Sequence, residues 1–460
     1  MRIRSVRGIP KLKVSSRIRP PEFFDPEKIS VFHYESKSHR HWPHVVKFSG
    51  GKTSGMLLFI LLEAGLLKAE RGDVVIFNNT SAEHPRTYEF VKQCKRVVEK
   101  RYKIPFFWIE YQTYEDARLG EYVRLPSFKL VNPEPYSETN PDGYHHKGEV
   151  FEEMLSHKGY VPTFFQRICT QSLKLESSRF FLREWLANKE ETERLGHFGK
   201  SSRLNDDEMY ARHKRNQGSV PRDIFFKKKS FLKSRPWIRA SQKWSDYSDV
   251  AVPFTNKHLE GRAYGRKAHF GKGGIEYISF VGIRHDEMRR VIKIQKRNAG
   301  EADAEGYEGE HVYMPLAEMK IAEEHVHDFW EKQTWKLHLN KEDNLSNCTF
   351  CFLKGVEKLR AAKEAINKEQ VAEYADTPCD IGWWAGIEKK YGRDMKAEGR
   401  EIKSENNDLD FIGFFGTSNK IGASKNGTSE KLSYQLLAEK DRLDKIDMPV
   451  EDILPCDCTD

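Results

Sequence analysis

Six consecutive residues, Ser49, Gly50, Gly51, Lys52, Thr53 and Ser54, bring together two glycines, three hydroxyls and one ammonium. The β-branched run Val45-Val46-Lys47-Phe48 precedes them, and an almost wholly apolar helix candidate over 53–66 follows. Paired glycines let a backbone turn tightly and approach a ligand, while the free N–H groups and positive dipole end of a helix start favour an anion. The chemistry this predicts is phosphate binding. A Walker A loop needs a glycine five residues before its Gly-Lys pair, and that place is Val46, so the pattern fails. An ordinary strand-to-helix turn is the alternative for any Gly-Gly-Lys-Thr.

Cysteine spacing supplies a second chemistry. Cys348-x-x-Cys351 puts two thiolates on one tight turn, a spacing that suits one metal or cluster, with a redox pair as the alternative, and Cys456-x-Cys458 adds further soft ligands. Seven cysteines, clustered late, are too few and uneven for a disulfide scaffold and fit a reduced compartment, the cytoplasm. Cys94 and Cys379 read as packed in helices. His145-His146 reads as a surface pair, because adjacent side chains point apart, and His325 and His327 fall on different helix faces.

The elements that must position these residues alternate. Strands over 73–78, 104–110 and 275–283, with a short one at 313–316, are separated by helices over 85–98 and 323–336, which predicts parallel βαβ units covered on both faces. Ligands of such sheets lie beyond the strand C-termini, where Ser49 and Asn79 fall. Residues 112–162, rich in Pro and Gly, read as a loop-rich excursion. The expected fold is α/β, a parallel sheet with helices on both faces. Its segments are a basic N-terminal arm (1–43), a phosphate-loop core in two parts (44–188 and 275–335), a basic insertion (189–274), a helical CxxC region (336–400) and a flexible tail ending in CxC (401–460). No internal repeat is present.

At 460 residues the chain has room for two or three domains, and 38% hydrophobic against 32% charged residues describes a water-facing protein. No apolar run is long enough to span a bilayer. The N-terminal arm is basic but lacks an apolar stretch, which argues against a secretory leader. The net charge of +8 is unevenly spread: residues 210–274 hold sixteen Lys/Arg against four Asp/Glu. Phe225, Phe226, Phe231, Trp237, Trp244 and Tyr247 are interleaved among those charges, a composition that suits backbone phosphates plus base stacking. A solvated surface or a protein-partner site is the alternative.

The ordered set KFSGGKTS, FNNTSAEHPRTYEFV, RICTQSLK, VGIRHDEMRRV, MPLAEM, NCTFCFLKG and CDCTD resembles the phosphoadenosine phosphosulfate (PAPS) reductase-like proteins of phages and prophages, within the adenine nucleotide alpha hydrolase-like (PP-loop) superfamily. The resemblance spans about 44–188 and 275–392 plus the last few residues. It implies a Rossmann-like parallel sheet forming a nucleotide-binding core, in which Ser49, Gly50, Gly51, Thr53 and Ser54 cradle the phosphates of ATP or PAPS, with Lys52 as counter-charge and Asn79, Thr80 and Glu83 near the nucleotide. Arg167 and Lys174, flanking Cys169, and Arg284 with Arg289 or Arg290 would stabilise charge on a leaving pyrophosphate or phosphosulfate. Asp286 and Glu287 are candidate Mg²⁺ ligands, an i, i+3 ion pair of Glu287 with Arg290 being the alternative. Assimilatory adenylylsulfate reductases hold a [4Fe–4S] cluster with a cysteine pair and a later C-x-x-C; here the first pair reads Cys169-Thr170. Cys169, Cys348 and Cys351 with Cys456 or Cys458 would hold a cluster, and Cys348, Cys351, Cys456 and Cys458 would hold zinc.

PAPS reductases also carry an E-C-G-x-x-H motif that is missing here; the terminal Cys-Asp-Cys is the nearest substitute. The leading expectation is therefore a PP-loop enzyme using an adenine nucleotide for adenylating or sulfur-transfer chemistry on nucleic acid, bound through the basic insertion, with a protein partner as sulfur source. A reductase converting PAPS to sulfite and a nucleotide-sensing defence component without turnover are the alternatives.

Overall fold

The computed structural model describes residues 33–116, 123–164, 166–188, 191–192, 211, 242–264, 267–301, 308–394, 411–416, 420–421 and 430–439. In chain order the central strands are β1 (His44–Phe48), β2 (Val74–Asn79), β3 (Phe106–Asp116), β4 (Val123–Pro135), β5 (Gly143–Tyr144), β6 (Tyr277–Phe280) and β7 (Glu310–Tyr313). They form one seven-stranded sheet in the order β7-β6-β1-β2-β3-β4-β5. The main helices are α1 (Lys52–Glu63), α2 (Pro85–Val97), α3 (Glu149–Lys158), α4 (Ser177–Trp185), α5 (Met288–Asn298), α6 (Glu323–Glu331), α7 (Val356–Glu369), α8 (Ile381–Tyr391) and α9 (Tyr434–Glu439).

The α/β architecture is the expected one, with a mostly parallel sheet. The chain steps from β1 through β2 to β3 and later returns to lay β6 on the other side of β1. Strand order therefore reverses between β1 and β6, the position where open α/β sheets bind ligands beyond their strand ends. Side chains alternate across the sheet as the two-residue period requires. Val46, Phe48, Val75, Phe77 and Trp108 join the core with α1, α2 and α3, while Val45, Val74, Ile76, Phe107 and Ile109 join a second core with α4. Helix α1 is buried from Thr53 to Leu62, which is why its sequence is apolar on every side.

Four readings of the sequence are corrected here. Residues 112–162 are not a loop-rich excursion: β3 runs on to Asp116, and β4 folds back antiparallel along it from Trp108↔Val131 to Asp116↔Val123. Pro126, Pro133 and Pro135 hide this strand in the sequence. They are tolerated because its other neighbour, β5, is only two residues long and pairs irregularly. Trp244 and Tyr247, read as base-stacking aromatics, belong to the second core; Trp244 packs 5.5 Å from Phe107 and 5.4 Å from Trp185 between ring centroids. Phe225, Phe226, Phe231 and Trp237 lie outside the described residues.

The end of the basic arm is docked. His39 is buried, its Nδ1 is 2.8 Å from the Tyr313 hydroxyl of β7, and the Tyr34 hydroxyl lies 2.8 Å from His44 Nε2. Within the stretch read as a poorly ordered tail, Phe414 and Phe415 are buried and Phe414 packs on Trp384 and Tyr434. An apolar run, Phe411-Ile412-Gly413-Phe414-Phe415, is embedded in that polar stretch. No helix among the described residues is long and apolar enough to cross a membrane.

One buried charge network ties the sheet edge together. The fully buried Glu310 carboxylate of β7 meets Lys47 Nζ at 2.5 Å, the Arg297 guanidinium of α5 and the Ser279 hydroxyl. Burial alone would raise its pKa, but Lys47 and Arg297 overrule burial and hold it down at about 2. Its folded value lies below the ordinary 4.5, so its stabilisation is complete above pH 4.5 and is lost as pH falls toward 2. Glu310→Gln is expected to lower stability by roughly 3–5 kcal/mol at neutral pH, because it strands two buried cations. It should also remove up to about 3 kcal/mol of the acid-dependent loss in that window. Urea unfolding from neutral pH to pH 3 measures both effects.

Candidate functional site

The turn between β1 and α1 is folded by its own hydroxyls. Ser49 Oγ lies 2.9 Å from Ser54 Oγ, which also accepts from Ser49 N at 3.2 Å and donates to the Gly51 carbonyl at 3.2 Å. Gly50 has φ +83°, and a Cβ there would stand 2.9 Å from Thr87 Cγ2 of α2, so backbone and space both require glycine. Gly51 caps α1 without a side-chain hydrogen bond, which leaves first-turn amides for an anion. Just beyond β6, Gly282 passes so close that a Cβ would lie 3.0 Å from Ser54 Cα. That approach brings Arg284 Nη1 to Thr53 Oγ1 at 3.3 Å. Lys52 Nζ donates to the Leu339 carbonyl at 3.1 Å, and burial pushes its pKa down.

The neighbouring loop, after β2, is locked from beneath. The Asn79 amide donates to Glu110 Oε1 at 2.7 Å and to the His145 carbonyl at 2.6 Å, while its oxygen accepts from Ser81 N at 2.8 Å. Asn79 therefore shapes the loop with both ends of its amide. Glu110 also receives the His145 backbone N–H and Nδ1, each at 2.7 Å. Burial pushes the Glu110 pKa up, but the adjacent His145 ring brings it below its ordinary value. His145 is thus a buried partner of Glu110 and not half of a surface pair. Ser81 sits at φ +59°, an unusual backbone for a serine, and its hydroxyl accepts from Val150 N at 2.9 Å.

This loop meets the C-x-x-C turn. Thr80 Oγ1 donates to Glu83 Oε1 at 2.7 Å and lies 3.5 Å from Cys348 Sγ, and Thr349 N donates to the Ala82 carbonyl at 2.9 Å. Cys169, Cys348 and Cys351 line one pocket together with Thr80, Lys174, Phe151, Phe352 and Trp384. Cys169 precedes a π-helical segment, Thr170–Glu176, which carries Lys174 to the same pocket; such segments recur at functional sites. Behind them, the buried Tyr434 of α9 donates to the Phe350 carbonyl, and burial followed by the nearby Cys351 pushes its pKa up. Cys379 stands apart, just before α8, with Thr349 Oγ1 3.7 Å away and its thiol pushed up by burial to about 12.

Three thiols from two distant segments on one largely apolar wall match a soft-metal or iron–sulfur group in donor chemistry. Among the described residues no three His, Cys, Asp or Glu side chains are gathered tightly enough for a metal ion. A cluster, which takes one thiolate per iron corner, spreads its ligands more widely than one ion does. Cys456 and Cys458 lie outside the described residues. Glu287 accepts from Arg284 N at 2.9 Å and pairs with Arg290, whose guanidinium is buried in that contact, and Asp286 Oδ1 meets Arg284 Nε at 3.0 Å. Both Mg²⁺ candidates are thus already engaged by their own segment. Arg167 is half-buried just ahead of Cys169.

Sequence reading missed three residues that hold the site together. Gly282 and His84 lie inside quoted motifs but were given no role there, and Glu110 lies in none. His84 caps α2 through Nδ1, and its other side meets Glu369 at 3.4 Å and the Tyr374 hydroxyl at 3.3 Å, fastening α7 to the loop. A histidine directly before the Pro85 that opens a helix was the available signal.

Gly50→Ala is expected to weaken binding of inorganic pyrophosphate about tenfold with the fold retained, since a left-handed alanine costs roughly 1–2 kcal/mol before the Thr87 contact is counted. Calorimetric titration together with circular dichroism measures this. No family model, curated protein or solved structure matches the chain.

Proposed function

We propose that the chain is an adenine-nucleotide-dependent enzyme, similar to the PAPS reductase-like proteins, that activates a nucleic-acid acceptor by adenylation or transfers sulfur to it. One observation carries this reading. The hydroxyl- and glycine-built loop at 49–54 and the three-thiol pocket lie at the ends of the adjacent strands β1 and β2, with Thr80 hydrogen-bonding distance from Cys348. Phosphate-binding and soft-ligand chemistry thus share one edge of the sheet.

In this reading the amides at the start of α1, Ser49 and Ser54 hold the β- and γ-phosphates of ATP. Arg284 lies above Thr53, where charge develops as an acceptor oxygen bonds to the α-phosphorus and pyrophosphate leaves. Mg²⁺ would be held chiefly by the phosphates, because Asp286 and Glu287 are paired. Lys52 acts from the side, its ammonium steadied by the Leu339 carbonyl. Cys169, Cys348 and Cys351, with Cys456 or Cys458, would hold a [4Fe–4S] cluster, which when bound supplies a sulfur-binding or redox centre. Lys174 on the same wall offsets the negative charge of such a thiolate set. The shared pocket wall of Cys169 with Cys348 and Cys351 favours this ligand set over a zinc site without Cys169.

Anaerobic incubation with ATP is expected to yield AMP and pyrophosphate, more with nucleic acid present, and Ser49→Ala should reduce turnover by at least roughly tenfold, the scale on which single donors to developing charge act. Sulfite from PAPS, indifferent to nucleic acid, would make the chain a reductase instead, and tight ATP binding without product would make it a sensor. Anaerobically purified protein is expected to contain iron and acid-labile sulfide, both lost in Cys348→Ser. Stoichiometric zinc without sulfide would refute the cluster.

A further inference from the structure

Four histidines meet where the end of the N-terminal arm lies on the sheet. His39 belongs to the arm, His44 opens β1, His311 lies in β7, and His258 sits in a single turn, Lys257–Leu259. The partners of each ring fix where its protons are. A carbonyl can only accept, so the 2.7 Å contact of His44 Nδ1 with the Trp42 carbonyl puts a proton on Nδ1. The Tyr34 hydroxyl stands 2.8 Å from Nε2 and is hydrogen-bonded by Arg71, so its own proton points at the ring. A guanidinium can only donate, so Arg262 Nη1, 3.2 Å from His258 Nδ1, meets a lone pair there. Trp42 of the arm stacks on that ring, with centroids 5.8 Å apart. His39 Nδ1 faces the Tyr313 hydroxyl at 2.8 Å, and the same hydroxyl accepts from Glu35 N at 2.7 Å. The arm is thus seated on rings in their neutral form.

We propose that this seam is an acid-released clasp: residues 33–42 are docked at neutral pH and above, and mild acid frees them by protonating the histidines that seat them. The inference stands apart from the nucleotide reading and does not depend on it. Charge sets the direction. A further proton on His44 would face the Arg71 guanidinium, one on His258 the Arg262 guanidinium, and one on His39 the His311 ring, whose centroid is 4.7 Å away. Burial first, and then these neighbours, hold all three rings below the ordinary 6.5, with His44 down at about 3. Nearby acids do not cancel this. The Glu35 side chain is 61% exposed, and its Oε2 lies 3.0 Å from His311 Nε2 without hydrogen-bonding it. Asp73 is paired with Arg71 and accepts from His44 N. Glu318, pushed up to about 7 chiefly by desolvation and then by Glu35, works in the opposite sense, but only the lesser, Glu35 part involves the arm. Docked rings titrate below released ones, so docking is fully supported above pH 6.5 and weakens as pH falls, by up to about tenfold per unit for each ring. Other polar contacts of the arm, Arg71 to the Arg40 carbonyl and Asn256 to the His41 carbonyl, do not titrate in this range. Release would uncover Tyr313 and His311 on β7, the end strand of the sheet.

The test is hydrogen exchange of the full chain at about pH 7.5 and about pH 5.5, either side of the histidine range, expressed as protection factors so that the intrinsic pH dependence of exchange cancels. Amides of 35–42 are expected to lose protection at least roughly tenfold at the lower pH, while those of β1 keep theirs. His39→Gln/His258→Gln keeps hydrogen-bonding groups and removes two titrations, and should hold the loss to within about threefold. His311→Gln removes the charge that a protonated His39 would face, and should move the midpoint of release down by about half a pH unit. Equal protection of the arm at both pH values would overturn the proposal. So would simultaneous loss in β1, which is acid unfolding of the whole fold, or an undiminished loss in the double variant. Should the double variant be unprotected already at the higher pH, the His311→Gln midpoint decides, and an unmoved midpoint overturns the proposal.

Discussion

A carboxylate buried inside a sheet is unfavourable unless donors reach its oxygens, and Glu110, within β3, is met by the Asn79 amide and by the backbone N–H and Nδ1 of His145. That requirement organises the site. It pins the segment around His145 beneath the loop after β2, and it sets Asn79 so that its oxygen receives Ser81 N. Ser81 then takes a left-handed backbone and offers its hydroxyl to the first turn of α3. On the loop's upper side, Thr80, Ala82 and Glu83 are left to receive the C-x-x-C turn. Strand β3, the first turn of α3 and the thiol pocket are joined through one short loop.

Features made by neighbours in sequence were legible, and features made across the fold were not. The glycine turn, the apolar α1, and strands β1 and β2 follow from local pattern, because each fixes its own backbone. The C-x-x-C turn was equally visible. By contrast, β4 is disguised by prolines that an almost uncovered edge tolerates, and His145 looked like a surface residue because its partner lies on another strand. Trp244 and Tyr247 sat in a cationic stretch and so read as ligand-facing, yet the second core needed their area. Spacing alone gives no reason for Cys169 to stand beside Cys348; the resemblance to sulfonucleotide enzymes supplied that expectation, and the two line one pocket.

Charge shows the same division. Lys47, Arg297, Arg71 and Lys95 are consumed inside the protein, pairing with Glu310, Asp73 and Glu99, and burial pushes the Lys95 pKa down. Composition counts these cations with the exposed ones of α5, although only the exposed ones meet solvent or a partner. A net positive charge therefore says less about binding than which cations the fold has already neutralised.

The thiol pocket draws its walls from far-separated parts of the chain: Thr80, Phe151, the Cys169 segment, the Cys348 turn and Trp384, with Tyr434 closing the back. During synthesis from the N-terminus, β1 to β3 can pair, and the loops at their ends take shape, while that last wall is still inside the ribosome. Cys169, Cys348 and Cys351 therefore acquire their common surroundings only when segments far apart in the chain have folded together. Because Phe414 and Tyr434 pack on Trp384, a wall residue of that pocket, late segments of the chain support thiols that they do not themselves contain.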